Sequence, residues 1–352
     1  LRDTQVSLQM VEHGWKAHLA GADADGDIGY ADDDAGGKLG AKLARLSVEG
    51  QPAGDTDKTP SAARAPLEPG NWPALDLSCA QCQLDGADLG ALRLVSAHVA
   101  GGQRVDEFSL SGGQTEAHAS GIWLRQNDLS SAQLKIDLSS ANFGGLVKAL
   151  GYTQNVTARS SRFGGEFEWT PAAGGLEWEQ ASGKLALEFK KGNLKAVQPG
   201  AGRMLGLLNF YALPRRLTLD FHDVVDAGLA FDSISGDFDF GGGNASTSNL
   251  KIEGPSLRME MKGRVGLAAR DYDEHVTVVP DISSGVTLGA ALLGGPALGA
   301  LAFVAQEVLD KPISEATQLQ YRVTGSWDNP DIKRVEGKAE KTDLPKPAKP
   351  GH

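Results

Sequence analysis

Residues 257–266 read Leu-Arg-Met-Glu-Met-Lys-Gly-Arg-Val-Gly, and this stretch decides the fold. Leu257, Met259 and Met261 alternate residue by residue with charged side chains. Successive side chains of a β-strand point to opposite faces of the sheet, so the alternation predicts a strand with one apolar face and one solvated face.

The same alternation recurs along almost the whole chain, and glycine-rich turns such as residues 100–102 and 241–244 separate the runs. Strands joined by short turns predict an antiparallel meander, and glycines placed just before Trp15, Trp123 and Trp327 indicate weak internal repetition. The pattern favours one elongated sheet, although two ordinary β-sandwiches would also produce it. The apolar residues of the other runs are Leu134, Ile136 and Leu138; Leu185, Leu187 and Phe189; Leu217, Leu219 and Phe221; and Leu319, Tyr321 and Val323.

Composition narrows the possible partners. The chain has 352 residues, a formal net charge of −11 and only 6% aromatic residues. An acidic excess disfavours a general affinity for nucleic acid or for anionic lipid surfaces. We therefore expect no nucleic-acid partner.

Two stretches interrupt the strand pattern. Residues 50–73 contain five prolines among small and polar residues, and residues 338–352 form a lysine- and proline-rich end. Both are predicted to be disordered, which leaves residues 1–49 and 74–337 to build the sheet. The chain starts at Leu1 without a basic-then-apolar leader, so we expect a fragment or a chain whose targeting segment has been removed.

Few helices are expected. Apolar residues at helical spacing predict short helices at residues 142–150 and 200–209. Residues 286–305 carry no charge, but Gly294-Gly295-Pro296 interrupts them, so we expect a hairpin of two short helices near 286–309 rather than one transmembrane span. The hairpin would cap the open end of the sheet, dip into a membrane interface or form a buried core pair. Its apolar residues are Leu288, Leu292, Leu293, Leu298, Leu301, Phe303 and Val304.

The two cysteines, Cys79 and Cys82, leave two interpretations open. They form a local disulfide in an oxidising compartment, which we favour, or they are inert thiols. A zinc site would need a second pair of ligands, which the sequence lacks. The aspartates between residues 23 and 34 do not follow a calcium-loop pattern, since Ile28 occupies the position that needs glycine. No metal is expected.

Catalytic motifs are also missing. The sequence contains neither a Gly-x-Ser-x-Gly elbow nor a phosphate-binding loop, and the neighbouring pair His222 and Asp223 fits a surface turn. We expect a protein that is not an enzyme and that needs no cofactor.

Several motifs in the second half resemble the AsmA-like family of envelope proteins, and in particular the C-terminal region of its YhdP branch, which is related to TamB. The resemblance spans residues 14–330 and is most specific from Pro199 onward. The motifs that carry it are Pro199–Leu208, Leu213–Phe221, Phe231–Asp237, Gly254-Pro255, Gly263-Arg264, Val279-Pro280, Gly294-Gly295-Pro296 and Tyr321–Pro330.

This resemblance implies a strongly curved antiparallel sheet that forms an open hydrophobic groove. It implies a segment of an inner-membrane-anchored protein that crosses the periplasm of a Gram-negative bacterium and carries phospholipids to the outer membrane. The expected partners are phospholipid acyl chains and either the inner leaflet of the outer membrane or an outer-membrane protein. The alternating residues given above, from Leu134 to Val323 but without Leu138, would line the groove. The alternative is a structural envelope scaffold that transfers no lipid.

Overall fold

The computed structural model describes residues 4–33, 36–48, 72–84, 86–126, 129–149, 156–170, 180–194, 229–280, 318–327 and 329–335, and these residues form a sheet of 17 strands. One short helix, α1 (Phe143–Ala149), follows the ninth strand. The strands are β1 Thr4–Val11, β2 Gly14–Gly21, β3 Ala24–Ala31, β4 Lys38–Val48, β5 Ala74–Leu84, β6 Ala87–Val99, β7 Gly102–Gly112, β8 Thr115–Gln126, β9 Leu129–Ser140, β10 Val156–Trp169, β11 Ser182–Leu194, β12 Leu229–Gly241, β13 Asn244–Glu253, β14 Leu257–Gly266, β15 Asp271–Pro280, β16 Leu319–Ser326 and β17 Pro330–Arg334.

Each strand pairs with the next one along the chain, as the meander prediction requires. Among the described strands, β1 pairs only with β2 and β17 only with β16, so the sheet is open and does not close on itself. The expected mainly β fold with an open sheet is therefore confirmed.

One pair departs from the antiparallel expectation. Strands β4 and β5 run parallel, with Lys38 opposite Ala74 and Val48 opposite Leu84. Parallel neighbours need a connection of about a dozen residues or more, whereas antiparallel neighbours need only a tight turn. Residues 49–73 provide that length between the two strands.

Glycines form the tight turn of at least one hairpin, because their backbone adopts positive φ angles. In the hairpin that joins β12 to β13, Gly241 pairs with Asn244 and leaves Gly242 and Gly243 as a two-residue turn. Both glycines have positive φ, +56° and +74°. Such a turn matches the right-handed twist of the strands, and glycine adopts it without steric strain.

The position of α1 shows how strongly the sheet curves. The helix contacts β10, its successor along the chain, and it also contacts β6, which lies four strands away in the sheet. Phe143 of α1 stacks on Phe163 of β10 at 5.1 Å between ring centroids and meets Phe189 of β11 edge-on at 5.1 Å. A seven-residue helix is only about 10 Å long, so it can reach both strands only where the sheet bends around it.

The predicted helix at residues 142–150 is therefore confirmed as α1. The predicted helix at 200–209, the hairpin near 286–309, the proline-rich stretch 50–73 and the tail 338–352 lie wholly or almost wholly outside the described residues.

Candidate functional site

Cross-strand register places the apolar residues of consecutive strands side by side on one face of the sheet, which we call the apolar face. One row of directly opposed residues crosses twelve strands, β1 to β12, and contains only apolar side chains, alanine and glycine. This row consists of Leu8, Ala17, Ile28, Ala41, Leu77, Leu94, Phe108, Ala119, Ile136, Gly165, Leu185 and Phe238.

A second row continues the apolar face to the other end of the sheet. It runs through Ile234, Ile252, Met259, Val278 and Leu319 in strands β12 to β16. The apolar surface is thus continuous across the strands although irregular pairing, as between β12 and β13, shifts individual rows.

The apolar face is accessible at one end of the sheet and buried at the other. On β1, Leu8 is 64% exposed and Met10 71% exposed. Most large apolar-face side chains of β2 to β9, such as Leu94 of β6, are half-buried. On β14 and β16, Met261 and Val323 are fully buried. Strands β1 to β9 therefore present an apolar surface that a ligand can reach, whereas most large apolar-face side chains of strands β10 to β17 belong to a packed core.

The structure brings the predicted groove residues together on this face, with three exceptions. Leu217, Leu219 and Phe221 lie outside the described residues, as do all seven predicted hairpin residues, Leu288, Leu292, Leu293, Leu298, Leu301, Phe303 and Val304. The half-buried residues are Leu134, Ile136, Leu185, Leu257 and Tyr321, and the buried ones are Leu187, Phe189, Met259, Met261, Leu319 and Val323.

Sequence reasoning missed the more accessible residues of the first strands. Val6, Leu8 and Met10 alternate within β1, and Leu92 and Leu94 do so within β6, so the signal was present. In β4 the alternation is weaker, because the small residues Gly40 and Ala41 stand in its middle.

The opposite face, which we call the polar face, carries paired charges. Lys135 donates to Glu166 across β9 and β10 at 2.8 Å, and this contact holds the pKa of the Glu166 carboxyl below its usual value. Lys38 donates to Asp76 at 2.9 Å. A depression of about 1350 Å³ over β7 to β12 is lined mainly by such polar and small side chains. The charges keep this face hydrated, so it does not compete with the apolar face for apolar ligands.

Cys79 and Cys82 are joined by a disulfide with 6.0 Å between their Cα atoms. In a regular strand these two positions would point to opposite faces. The pairing of β5 with β6 is irregular between Cys79 and Cys82, and this irregularity brings the two sulfurs together. Their oxidation in exported protein stays a prediction.

One acidic residue interrupts the apolar face. Glu274 of β15 lies between Gly263 of β14 and Val323 of β16, and it is only 3% exposed. Its Oε2 atom has no hydrogen-bond partner. Burial raises the pKa of this carboxyl to about 7. The sequence contained a signal for this position, since Glu274 stands two residues from Tyr272 and from Val276 and therefore lies on their face of the strand. Sequence reasoning did not single it out.

No metal or membrane-spanning site emerges from the described parts of the chain. Within them, no three His, Cys, Asp or Glu side chains are grouped so as to hold a metal ion. No helix found there has the length and apolar character to cross a bilayer.

The chain is similar in sequence to a known protein and to a family model. The chain is 28% identical over 288 residues to the intermembrane phospholipid transporter YhdP of Escherichia coli strain K12, an alignment that covers 79% of this chain and 22% of that protein. The chain thus spans about a fifth of the length of this relative. No solved structure matches it. A family model described as YhdP protein matches residues 1–332, and the chain therefore belongs to the YhdP family.

Proposed function

We propose that this chain is the C-terminal segment of a conduit that moves phospholipids between the inner and outer membranes of a Gram-negative envelope, without catalysis. The observation that carries the proposal is the continuous apolar face, which remains accessible on β1 to β9. Membership of a family whose E. coli relative is named as an intermembrane phospholipid transporter supports it.

The energetics favour such a surface. Exposing a ~16-carbon acyl chain to water costs on the order of 12 kcal/mol at about 0.8 kcal/mol per methylene. An apolar face that continues from strand to strand offsets most of this cost at every point along the path, while the headgroup stays in water. Because no single position binds tightly, the lipid can move on.

We assign the lipid path to the accessible part of the apolar face. Half-buried side chains such as Leu77 and Leu94 retain surface that an acyl chain can cover. Fully buried ones such as Met261 belong to a packed apolar cluster and make this part of the sheet rigid. This distinction separates the predicted groove residues into lining and core.

The uncharged segment at residues 286–305 extends the proposal to the membrane. We propose that it contacts the inner leaflet of the outer membrane, or an outer-membrane protein, or caps the groove. Replacing Leu292, Leu298 and Phe303 together by Asp is expected to lower liposome binding or lipid transfer while the sheet stays folded. Unchanged transfer at normal expression would contradict this assignment.

Photo-crosslinking tests the lipid path directly. Leu94 and Val95 are neighbours on β6 with similar partial burial, but Leu94 lies opposite Leu77 on the apolar face and Val95 lies opposite Asp76 on the polar face. A photo-crosslinking residue at 94 is expected to capture phospholipid in cells, and one at 95 is not. Equal capture at both positions would refute the assignment of the path to this face.

A charge substitution tests whether the path is used for transfer. The conduit is serial, so a carboxylate placed among acyl chains at one point should interrupt flow through the whole of it. Leu94→Asp is expected to abolish lipid transfer, whereas Val95→Asp should leave it close to normal. Normal transfer by a folded Leu94→Asp protein would count against the proposal.

A structural scaffold is the second candidate, and the packed core of β10 to β17 is the observation that favours it. A sheet with a purely structural role in the envelope needs buried side chains such as Phe189 and Val323 for its stability. It needs no accessible apolar surface. The two functions differ in their response at position 94. A scaffold would capture no lipid there and would tolerate Leu94→Asp without a transport defect.

A further inference from the structure

The tryptophans that the structure describes all stand at one edge of the sheet. Consecutive strands alternate in direction except for the parallel pair β4 and β5, so the starts of β2 and β5 and the ends of β8, β10 and β16 share this edge. We call it the tryptophan rim. Its members are Trp15 in β2, Trp72 just before β5, Trp123 in β8, Trp169 in β10 and Trp327 directly after β16. Within the described ranges, no tryptophan stands at the opposite edge.

The aromatic rings of this rim lie on the apolar face. Trp15 is directly opposite Tyr30 of β3, and both Trp123 and Trp169 are opposite Ala132 of β9. Each of the four aromatic residues stands two or four positions from a member of the long apolar row in its own strand, so its ring projects to the same side. The tryptophan rim is therefore the line along which the apolar face meets water.

Tryptophan is suited to such a boundary. Its indole ring buries a large apolar area, and its N–H group requires a hydrogen-bond acceptor, so the residue concentrates where one side is apolar and the other is wet. At a bilayer surface, this is the level of the lipid headgroups. An apolar face covered by acyl chains has the same kind of boundary at its edge.

The indole N–H groups differ along the rim. Those of Trp123 and Trp327 are used internally, since they donate to the Ser130 hydroxyl at 2.8 Å and to a backbone carbonyl at 3.2 Å. The indoles of Trp15 and Trp72 donate no hydrogen bond to any described residue. Trp15 is half-buried and Trp72 is 44% exposed, so both N–H groups belong to the accessible part of the sheet.

Apolar surface adjoins these two donors. Met10 of β1 lies directly opposite Trp15 and is 71% exposed. A ligand that covers Met10 with a hydrocarbon chain would therefore have its polar end beside the Trp15 indole. The ester carbonyl and phosphate oxygens of a phospholipid are hydrogen-bond acceptors of the kind that an indole N–H needs.

We propose that the tryptophan rim on β2 to β8 binds the ester and phosphate region of the carried phospholipid, with Trp15 and Trp72 as the hydrogen-bond donors. The acyl chains then lie on the apolar face, and the headgroup leaves it at this rim and not at the opposite edge. This inference rests on the lipid-carrying function proposed above and adds an orientation of the lipid to it.

Two photoreactive lipids test the orientation. The full chain is loaded from vesicles of phosphatidylethanolamine and phosphatidylglycerol that contain a trace lipid with a diazirine either in its headgroup or at the end of one acyl chain. The vesicles are removed before irradiation, and the crosslinked residues are mapped by mass spectrometry. The headgroup probe is expected to label the tryptophan rim roughly fivefold more than the opposite edge, as for one hydrogen bond. The chain-end probe should label the apolar face within β1 to β9.

Phenylalanine variants test the two donors, because they keep an aromatic ring and remove the N–H group. The double variant Trp15→Phe with Trp72→Phe should lose the preference of the headgroup probe for the rim, while the chain-end probe still labels the apolar face. Trp327→Phe is the matched control. Its indole already donates within the protein and lies away from β1 to β9, so headgroup labelling should stay as in the unaltered protein.

The outcomes separate this inference from the conduit itself. Equal headgroup labelling of both edges, or an unchanged preference in the double variant, would overturn the orientation and leave the conduit standing if the chain-end probe labels the apolar face. Rim labelling that occurs only with vesicles present would show that the rim contacts a membrane instead of carried lipid, and would also overturn the inference. Loaded protein that neither probe labels would refute the conduit and the rim together.

Discussion

Removing the ionisable group at Glu274 is expected to abolish a specific pH dependence of stability. Burial raises the pKa of this carboxyl from 4.5 to about 7 in the folded protein. The folded state therefore holds its proton more tightly than the unfolded state does. The contribution of this carboxyl to the free energy of unfolding is fully present below pH 4.5 and is lost progressively as the pH rises to about 7. Above that pH the free energy of unfolding no longer changes because of this group.

The size of the effect follows from the same shift. One pKa unit corresponds to about 1.36 kcal/mol, so a rise from 4.5 to about 7 removes roughly 3 kcal/mol of the free energy of unfolding across this range. Solvent screening does not reduce it much, because Glu274 is 3% exposed. Glu274→Gln keeps the shape of the side chain but does not ionise. Between pH 4.5 and pH 8, the free energy of unfolding of this variant should therefore rise by about 3 kcal/mol relative to that of the unaltered protein.

Urea unfolding of delipidated protein at pH values between 4.5 and 8 measures this difference. Subtracting the curve of the Glu274→Gln variant removes the contributions of all other titrating groups. Glu260→Gln, a change of the same kind on the polar face, should follow the unaltered protein. Parallel stability curves for the Glu274→Gln variant and the unaltered protein would show that the carboxyl is not desolvated and would refute the reasoning.

Three further outcomes are expected. Phe189→Ala, which empties the centre of the aromatic cluster, should lower the free energy of unfolding by about 3–5 kcal/mol in denaturant titrations. Gly263→Ala should cost about 2 kcal/mol in the same assay, because glycine has φ +140° there and a Cβ would lie 2.3 Å from the Asp273 carbonyl oxygen. Natively exported protein should resist thiol labelling at Cys79 and Cys82 until it is reduced, and labelling without reduction would contradict the disulfide.

Some features could be predicted because they depend on local sequence alone. Alternation at Leu257, Met259 and Met261 identified a strand and its apolar side, and the helical spacing between Phe143 and Leu150 identified α1. Successive side chains of a strand alternate between its two faces because of the backbone geometry, so the alternation holds whatever the strand packs against. The same alternation would place Cys79 and Cys82 on opposite faces of a regular strand, and their disulfide indeed lies where the pairing of β5 with β6 is irregular.

The burial of each apolar side chain could not be predicted in this way. Leu8 and Met261 belong to equally clear alternating runs, yet Leu8 is 64% exposed and Met261 is fully buried. Alternation records which side of a strand is apolar, but it does not record whether that side packs against other residues. The parallel pairing of β4 with β5 likewise depends on the route of a long connection, which local patterns do not record.

The sequence by itself thus determined the strands, the two faces of each strand and the family, because these depend on neighbouring residues and on motifs. Only the tertiary structure decided that the apolar face is continuous across the sheet, since continuity requires the register of each pair of strands. It also decided that this face is more accessible on β1 to β9 and mostly buried on β10 to β17. Finally, it left the carboxyl of Glu274 inside that face without a partner, because no charged side chain of the neighbouring strands points to the same side.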